Sequence, residues 1–397
     1  MTRTKTFARA LDFQKLTQHR ELCCGCEACV QVCSRRCISF EEDDEGFRYP
    51  RVNASECVDC GLCSQVCPIQ NVPQAVSPKG GFAYQSANQE VLLSSSSGGL
   101  FTALANQCLR QGGRVFGARF NERWEVEHTG VDTLQGVEAL RTSKYVQSRV
   151  GQTFREVADT LSKGIPVLFC GTPCQVAALQ RYLRKNKELL TCVDFVCHGV
   201  PSPLVWRKWL SAVFAGRKIS AVNFRSKPEG WNNYHLEVRL ESGEVFSYAI
   251  PDSAYTKAFS ANIMLRPSCY RCQMHGEHHS SDLTMADFWG VEHVKDVADM
   301  ADNRGVSLAI AQTEKGANLL KEIGARTLNQ PVKVLMVHNP SYSHQTPTTA
   351  LRSAFFSYAL KHPEMMIERL EQLTHLSPMR RRYYKICTFV RKMIGMI

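Results

Sequence analysis

The sequence has no uninterrupted apolar run of the roughly 18 residues that a membrane-spanning helix needs. Its first segment, MTRTKTFARALDFQKL, carries basic residues without the apolar stretch of a secretory signal, so the expectation is a cytoplasmic chain with no helical membrane span. Also missing is a basic patch interleaved with aromatics, and nucleic-acid binding is therefore not expected. This holds although 48 Lys and Arg outnumber 37 Asp and Glu, for a formal charge of +11. Apart from one cysteine spacing, no internal repeat occurs. Cysteine itself is abundant, with 18 in 397 residues. In a reducing compartment that many cysteines read as metal ligands and a few buried thiols rather than as disulfides. A length of 397 residues and 44% apolar content point to two or three well-packed domains.

Two cysteine runs share one spacing, Cys23-x2-Cys26-x2-Cys29-x3-Cys33 and Cys57-x2-Cys60-x2-Cys63-x3-Cys67-Pro68. That is the ligand pattern of a two-cluster bacterial ferredoxin, in which the fourth cysteine of each run reaches the other cluster. Cys23, Cys26, Cys29 and Cys67 would then hold one 4Fe-4S cluster, and Cys57, Cys60, Cys63 and Cys33 its partner. Gly25 and Gly61 sit inside the ligand loops, where backbone amides must turn toward the sulfurs. Zinc uses four ligands in paired C-x2-C spacing and has no use for four cysteines per run. Each four-thiolate cluster carries a net charge of roughly −2, which offsets much of the basic excess. An acidic partner, an anionic cofactor or a membrane surface accounts for the remainder.

The stretch PIQNVPQAVSPKGG, Pro68 to Gly81, lacks periodicity and reads as a linker, so a ferredoxin domain is expected over 1–80. Beyond it, short β-rich runs alternate with amphipathic helical patterns: Arg114 to Phe120, Val167 to Cys170 and Val193 to Val196, with SLAIAQT and EKGANLLKEIG near the end. NYHLEVRLESGEVFSYAI shows period-two runs across an ESGE turn, a hairpin that makes the sheet mixed. The expected fold class is therefore α+β or α/β: a small ferredoxin-like domain, a mixed-sheet α/β domain over 81–345, and a helical, peripheral, basic tail over 346–397.

Ser94 to Gly99 (SSSSGG) runs straight into the helical stretch LFTALANQCLRQ, placing hydroxyls and backbone amides at a helix N-terminus, where phosphate binds favourably. Alone it reads as a Ser-rich N-cap with packing glycines. A ferredoxin module upstream shifts it toward a flavin, since one-electron carriers need one to reach two-electron chemistry. A second cysteine set comprises Cys174 in CGTPC and Cys197 in CHG, each after a strand, and the close pair Cys269-x2-Cys272. Strand carboxyl ends point into the ligand crevice of an α/β sheet, so these four could converge as a cluster or metal site. Unrelated buried thiols are the competing reading.

The ordered motifs SSGGLFTAL, RTSKYVQS, CGTPCQVAAL, CHGVPSP, SCYRC and SDLTMADFWG, together with the cysteine runs, resemble the beta subunit of coenzyme F-420-reducing hydrogenase and dehydrogenase over roughly Cys23 to Thr313. The resemblance implies FAD at the SSGG helix start, with Ser97, Gly98, Gly99 and Thr102 facing its phosphates and Ser143, Lys144, Tyr145 and Thr172 nearby. It further implies a third 4Fe-4S cluster on Cys174, Cys197, Cys269 and Cys272, with electrons running between the ferredoxin pair, this cluster and FAD. Lys144 would offer positive charge to the flavin, with a surface ion pair as the alternative. His198 is either a proton donor or a group that orients its loop. Asp287 is a flavin or substrate contact or a turn-forming Asp.

The pattern has departures: Ser34 follows Cys33 where proline is usual, and Cys24, Cys37 and Cys170 are supernumerary. Cys108, Cys192 and Cys387 read as buried thiols, and His275, His278 and His279 either as zinc ligands or as a polar loop. Tyr383, Ile386, Cys387, Val390, Met393, Ile394 and Ile397 share a helical face opposite basic residues, which suits either peripheral membrane contact or docking on the protein body. The leading expectation is an iron–sulfur flavoprotein oxidoreductase that couples ferredoxin or another redox protein to a small-molecule substrate or deazaflavin-type coenzyme. The alternatives are an electron-transfer subunit docked to a catalytic partner, possibly linked to polysaccharide biosynthesis, and a flavin-free redox sensor.

Overall fold

A computed structural model describes residues 19–185 and 187–393; the N-terminal MTRTKTFARALDFQKL segment and positions Ile394 and Ile397 lie outside the described residues. The ferredoxin region folds as two short helices, Ala28–Val32 and Leu62–Val66, and an antiparallel pair, β1 (Ile38–Glu42) and β2 (Arg48–Val52). Helix Ala28–Val32 does not stand apart from the rest. Ala28 and Val66 share one apolar cluster with Phe154, Phe169, Val176 and Leu179 of the larger domain. Polar contacts add to this junction: Gln31 Oε1 accepts from the Phe154 amide at 2.9 Å, and Glu27 Oε2 from the Gly151 amide at 2.6 Å.

The linker ends at β3 (Gly80–Tyr84), the first strand of the main sheet. Then come β4 (Arg114–Phe120), β5 (Val126–Val131), β6 (Val167–Cys170) and β7 (Leu190–Phe195). A separate trio follows, β8 (Ile219–Ser226), β9 (His235–Leu240) and β10 (Val245–Ala249), before β11 (Leu283–Asp287), β12 (Ser307–Ala311) and β13 (Arg326–Leu328). Eight strands form one sheet in the order β13-β3-β12-β11-β7-β6-β4-β5. Its centre, β11-β7-β6-β4, is parallel, while β12, β3, β13 and β5 run antiparallel to their neighbours. β12, antiparallel to both β11 and β3, lies inside the sheet between them, and all five residues of its SLAIA run are buried.

Two expectations change here. The hairpin β9-β10 forms as expected, but it pairs with β8 in its own three-stranded sheet; the main sheet is mixed because of its outer strands. The tail is helical but only in part peripheral. Phe355, Phe356, Leu370 and Leu373, on helices Ala350–Ala359 and Met366–Thr374, are buried against Trp206, Tyr255 and Phe224 in the largest apolar cluster. Aromatic stacking at that scale closes the three-stranded sheet against helix Pro203–Val213.

Candidate functional site

Both ferredoxin loops solve the same backbone problem in the same way. Gly25 and Glu27 take left-handed φ values of 72° and 60°, and Asp59 and Gly61 take 48° and 71° at the matching positions. Each loop thus winds its amides around the cysteines before a one-turn helix begins. Cys26 lies within electrostatic reach of Cys29 and Cys67, and Cys29 within reach of Cys23 and Cys67. Cys33, Cys57, Cys60 and Cys63 line one small cavity. Cys29 and Cys67 also lie within reach of Cys63, and Cys37 is an additional neighbour, its Sγ 3.4 Å from that of Cys33.

The second set also converges. Cys197 lies within electrostatic reach of Cys174, Cys269 and Cys272. Backbone amides already point at these sulfurs, Val200 N to Cys269 and Met274 N to Cys272, each at 3.4 Å, while Thr172 Oγ1 is 3.2 Å from Cys174 Sγ. Burial pushes Cys269 up to about 12 and Cys272 to about 11, so without a bound cation both sulfurs stay protonated, and a metal centre here would have to displace those protons. Among the described residues, no group of three or more His, Cys, Asp or Glu side chains is placed to hold a single metal ion. His278 and His279 are otherwise engaged: His278 Nδ1 meets Pro73 O at 2.9 Å, and His279 Nδ1 meets buried Asp194 at 2.7 Å.

Beside this set opens a cavity of about 520 Å³ at the carboxyl ends of β6 and β7, within the size range of cofactor sites. Cys197, His198 and Thr172 line it, as do Ser97, Gly99, Ser143, Lys144, Tyr145 and Asp287. Gly99 has φ 86° and caps helix Leu100–Arg110, whose Leu100 and Phe101 also face the cavity. The unpaired first-turn amides of that helix suit an anion. Gly98 and Thr102 do not line the cavity. Gly98 sits where a Cβ would fall 2.1 Å from Tyr84 O, pressed against the main sheet, and its amide is taken by Ser307 Oγ. Thr102 Oγ1 accepts from Arg141 Nε at 3.2 Å.

Two proposed catalytic groups are tightly held. Lys144 Nζ donates to the carbonyls of Ala139, Arg141 and Thr142, at 3.1, 2.6 and 3.2 Å. Burial pushes it down to about 7, whereas three carbonyl acceptors favour the ammonium. Its charge therefore acts through the backbone of helix Leu134–Leu140 and the cavity wall. His198 Nε2 lies 2.6 Å from Asn262 Oδ1 and Nδ1 3.4 Å from Ser341 Oγ, which fixes the neutral ring as an Nε2–H donor; burial lowers its pKa.

Sequence reasoning missed the cations that hold the Ser-Gly loop. Arg141 Nη1 donates to Ser94 Oγ at 2.6 Å, Lys227 Nζ to the carbonyls of Leu92 and Ser97 at 3.0 and 2.9 Å, and Arg225 Nη2 to Ser96 O at 3.1 Å. Burial pushes Lys227 down to about 8. Arg225, itself buried, forms a two-point pair with Asp287 at 2.8 and 3.0 Å and lies 3.9 Å over the Tyr234 ring. Arg141 and Arg225 also line the cavity whereas Lys227 does not, so two of the three cations that hold the loop face the same space as the Gly99 helix start, a setting that suits an anion.

Comparison with known proteins agrees with the sequence resemblance. Residues 22–71 match the 4Fe-4S dicluster domain, and residues 166–330 match the family described as the C terminus of the coenzyme F420 hydrogenase/dehydrogenase beta subunit. One of the subunits of the F(420)H(2) dehydrogenase of Methanosarcina mazei is 23% identical over 197 residues, 46% of this chain and 55% of that protein. A ferredoxin of Saccharopolyspora erythraea is 41% identical over 49 residues, 12% of this chain and 46% of the relative. The chain thus spans about half the length of these relatives. Among solved structures, a chain of the F420-reducing [NiFe] hydrogenase complex from Methanosarcina barkeri aligns with a TM-score of 0.47 and 16% identity, over 68% of this chain and 89% of that one.

Proposed function

We propose that this chain, which joins a 4Fe-4S dicluster domain to a coenzyme F420 hydrogenase/dehydrogenase beta-subunit domain, is an iron–sulfur flavoprotein that exchanges electrons between a one-electron redox protein and an organic two-electron substrate. The carrying observation is that Cys197 and His198 line the same cavity as the Gly99 helix start, so a cluster on Cys174, Cys197, Cys269 and Cys272 would border whatever that cavity binds. FAD bound there would supply the conversion between single electrons and pairs. Leu100 and Phe101 amides would hold its diphosphate, with Arg141, Lys227 and Arg225 keeping the loop in shape and Arg141 and Arg225 also facing the cavity. His198, fixed by Asn262 and Ser341, positions the Cys197–Gly199 loop; it would donate its Nε2 proton only on leaving Asn262. The substrate class in this reading is a small molecule or a deazaflavin-type coenzyme; F420 stands in the name of the Methanosarcina mazei relative.

Anaerobic purification with iron, sulfide and flavin assay tests this reading. About twelve irons and one FAD per chain are expected. Cys197→Ser should lower iron to about eight while the ferredoxin clusters' spectra persist. Zinc, or full iron with no flavin, overturns it.

One observation favours a second reading, an electron-transfer subunit that works on a separate catalytic partner. The Methanosarcina mazei relative is itself one subunit of a dehydrogenase. Turnover of reduced ferredoxin with a small-molecule acceptor by the purified chain alone separates the two.

A further inference from the structure

Arg266 is fully buried and, among the described residues, forms no ion pair with a carboxylate. Its guanidinium reaches three elements instead: Nε donates to Cys23 O at 2.7 Å, Nη1 to Gln147 Oε1 at 3.0 Å and Nη2 to Arg48 O at 3.0 Å. Tyr49 presents its ring 4.2 Å away. Glu27, which feels this charge, is already committed to Arg48 and to the Gly151 amide. A dry, unpaired cation costs several kcal/mol unless negative charge lies close by. The backbone of Arg266 joins the opposite side of the junction, because its carbonyl accepts from the Cys269 amide at 3.0 Å and its amide donates to Val200 O at 2.9 Å. Gly25 is shaped to permit this approach: a Cβ there would meet Arg266 Nη1 at 2.8 Å and Gln147 Nε2 at 2.7 Å.

Resting on the flavoprotein reading above, we infer that Arg266 is the shared counter-charge of two clusters, the ferredoxin cluster on Cys23, Cys26, Cys29 and Cys67 and the cluster on Cys174, Cys197, Cys269 and Cys272, and so a positioning residue for the electron's crossing between domains. Its side chain is bonded to the backbone of a ligand of one and its main chain to a ligand of the other. The charge of Arg266 is felt by Cys23, Cys24 and Cys269, and in turn by Cys174. Cys24 tightens the same contact, since its thiol meets that of Cys174 and its carbonyl accepts from Gln147 Nε2 at 3.2 Å. The other ferredoxin cluster, on Cys33, Cys57, Cys60 and Cys63, sits away from this junction around its own cavity, with Cys60 exposed. The geometry therefore orders the centres: the Cys60 cluster as the outer entry, the Cys23 cluster inside it, then Arg266 and the cluster beside the cavity.

A positive charge between two anionic clusters favours their reduced forms. Arg266→Met should shift the reduction equilibrium of both toward the oxidised form by about tenfold, about 59 mV for a one-electron couple, and leave the outer cluster unmoved. Potentials are read by anaerobic redox titration followed by electron paramagnetic resonance, which needs no substrate or turnover. Gln147→Glu keeps the arginine and sets a carboxylate against Nη1; it should lower the same two potentials, and it decides the matter if the Met variant loses its iron. Arg266→Lys should restore most of the shift. Unchanged potentials in fully loaded variants overturn the proposal, as does an equal shift of all three clusters, which would mark a general structural effect. Failure of the underlying reading would show separately, as wild-type protein short of about twelve irons.

Discussion

The Arg225–Asp287 pair illustrates how much of this site depends on single buried charges. Arg225 has 3% of its side chain exposed and Asp287 19%, and they meet by two parallel hydrogen bonds. Burial by itself would lower the guanidinium's pKa, and Asp287 reverses the sign and raises it. Removing one partner leaves the other as an uncompensated charge. Arg225→Met should therefore cost about 3–5 kcal/mol of stability, whereas Arg225→Met combined with Asp287→Leu should cost less than the two single changes summed. Denaturant titration of the three variants under anaerobic conditions measures this; additive costs would mean that the pair is not coupled. Because Arg225 also holds Ser96 O, the single variant should load less flavin even where it folds. Neither Arg225 nor Arg266 was legible in the sequence. A lone arginine in NFRSK or LRPSC has no periodicity that separates a dry cation from a wet one, and only the packing around it shows the difference. The eight cysteines of the two repeated runs lie at the other extreme, because their C-x2-C-x2-C-x3-C spacing is a local signal; Cys174, Cys197, Cys269 and Cys272 are far apart in the chain, and only the family resemblance grouped them.

At the level of strands and helices, legibility followed the range of the interaction. β4 and β6 occupy the predicted residues, since a short run of Val, Phe and Leu between turns is a local signal. β7 begins at Leu190, three residues ahead of the Val193 expected from its apolar run, because Thr191 and Cys192 join the register with β6. Alternation in β9 and β10 announced a hairpin but not which sheet would take it, a choice made by distant aromatics. His128 on β5 carries a testable consequence of such packing. Its ring stacks on Phe169 of β6 and its Nε2 meets Cys170 O at 3.2 Å. Burial pushes it down to about 4 from the ordinary 6.5. Between those pH values the unfolded chain accepts a proton that the folded chain refuses. Stability is thus intact above about pH 6.5 and falls as pH drops toward 4, by on the order of 3 kcal/mol in total. His128→Gln keeps a donor for Cys170 O without that titration, so between pH 7 and pH 5 it should lose about 2 kcal/mol less than the wild type. Parallel pH profiles for the two proteins would remove His128 from the account.

On the scale of the whole molecule, the last helix, Pro378–Met393, turns an apolar face away from the body it is attached to. Attachment runs through Tyr384, which packs on the large aromatic cluster, and Thr388, whose Oγ1 accepts from the Ala350 amide at 2.8 Å. At 3.6 residues per turn, Met379, Tyr383, Ile386 and Val390 fall on the opposite side. They are exposed, Met379 at 83%, and Phe389 beside them at 65%. Arg380 and Lys385 flank the stripe, and further Arg and Lys residues follow in the sequence. Among the described residues no helix is long and apolar enough to cross a membrane, so such a face can lie on a bilayer but not span it. Cations next to an anionic surface contribute about 1 kcal/mol each, a term that salt screens. The chain should therefore co-sediment with vesicles rich in phosphatidylserine or phosphatidylglycerol, less so as salt rises, and far less with phosphatidylcholine alone. Ile386→Glu combined with Phe389→Glu should reduce binding at least tenfold while iron and flavin content stay unchanged. Vesicle binding that persists in that double variant would assign the contact to another surface, and absence of binding in the wild type, together with loss of a stable complex in the variant, would assign the stripe to a protein partner.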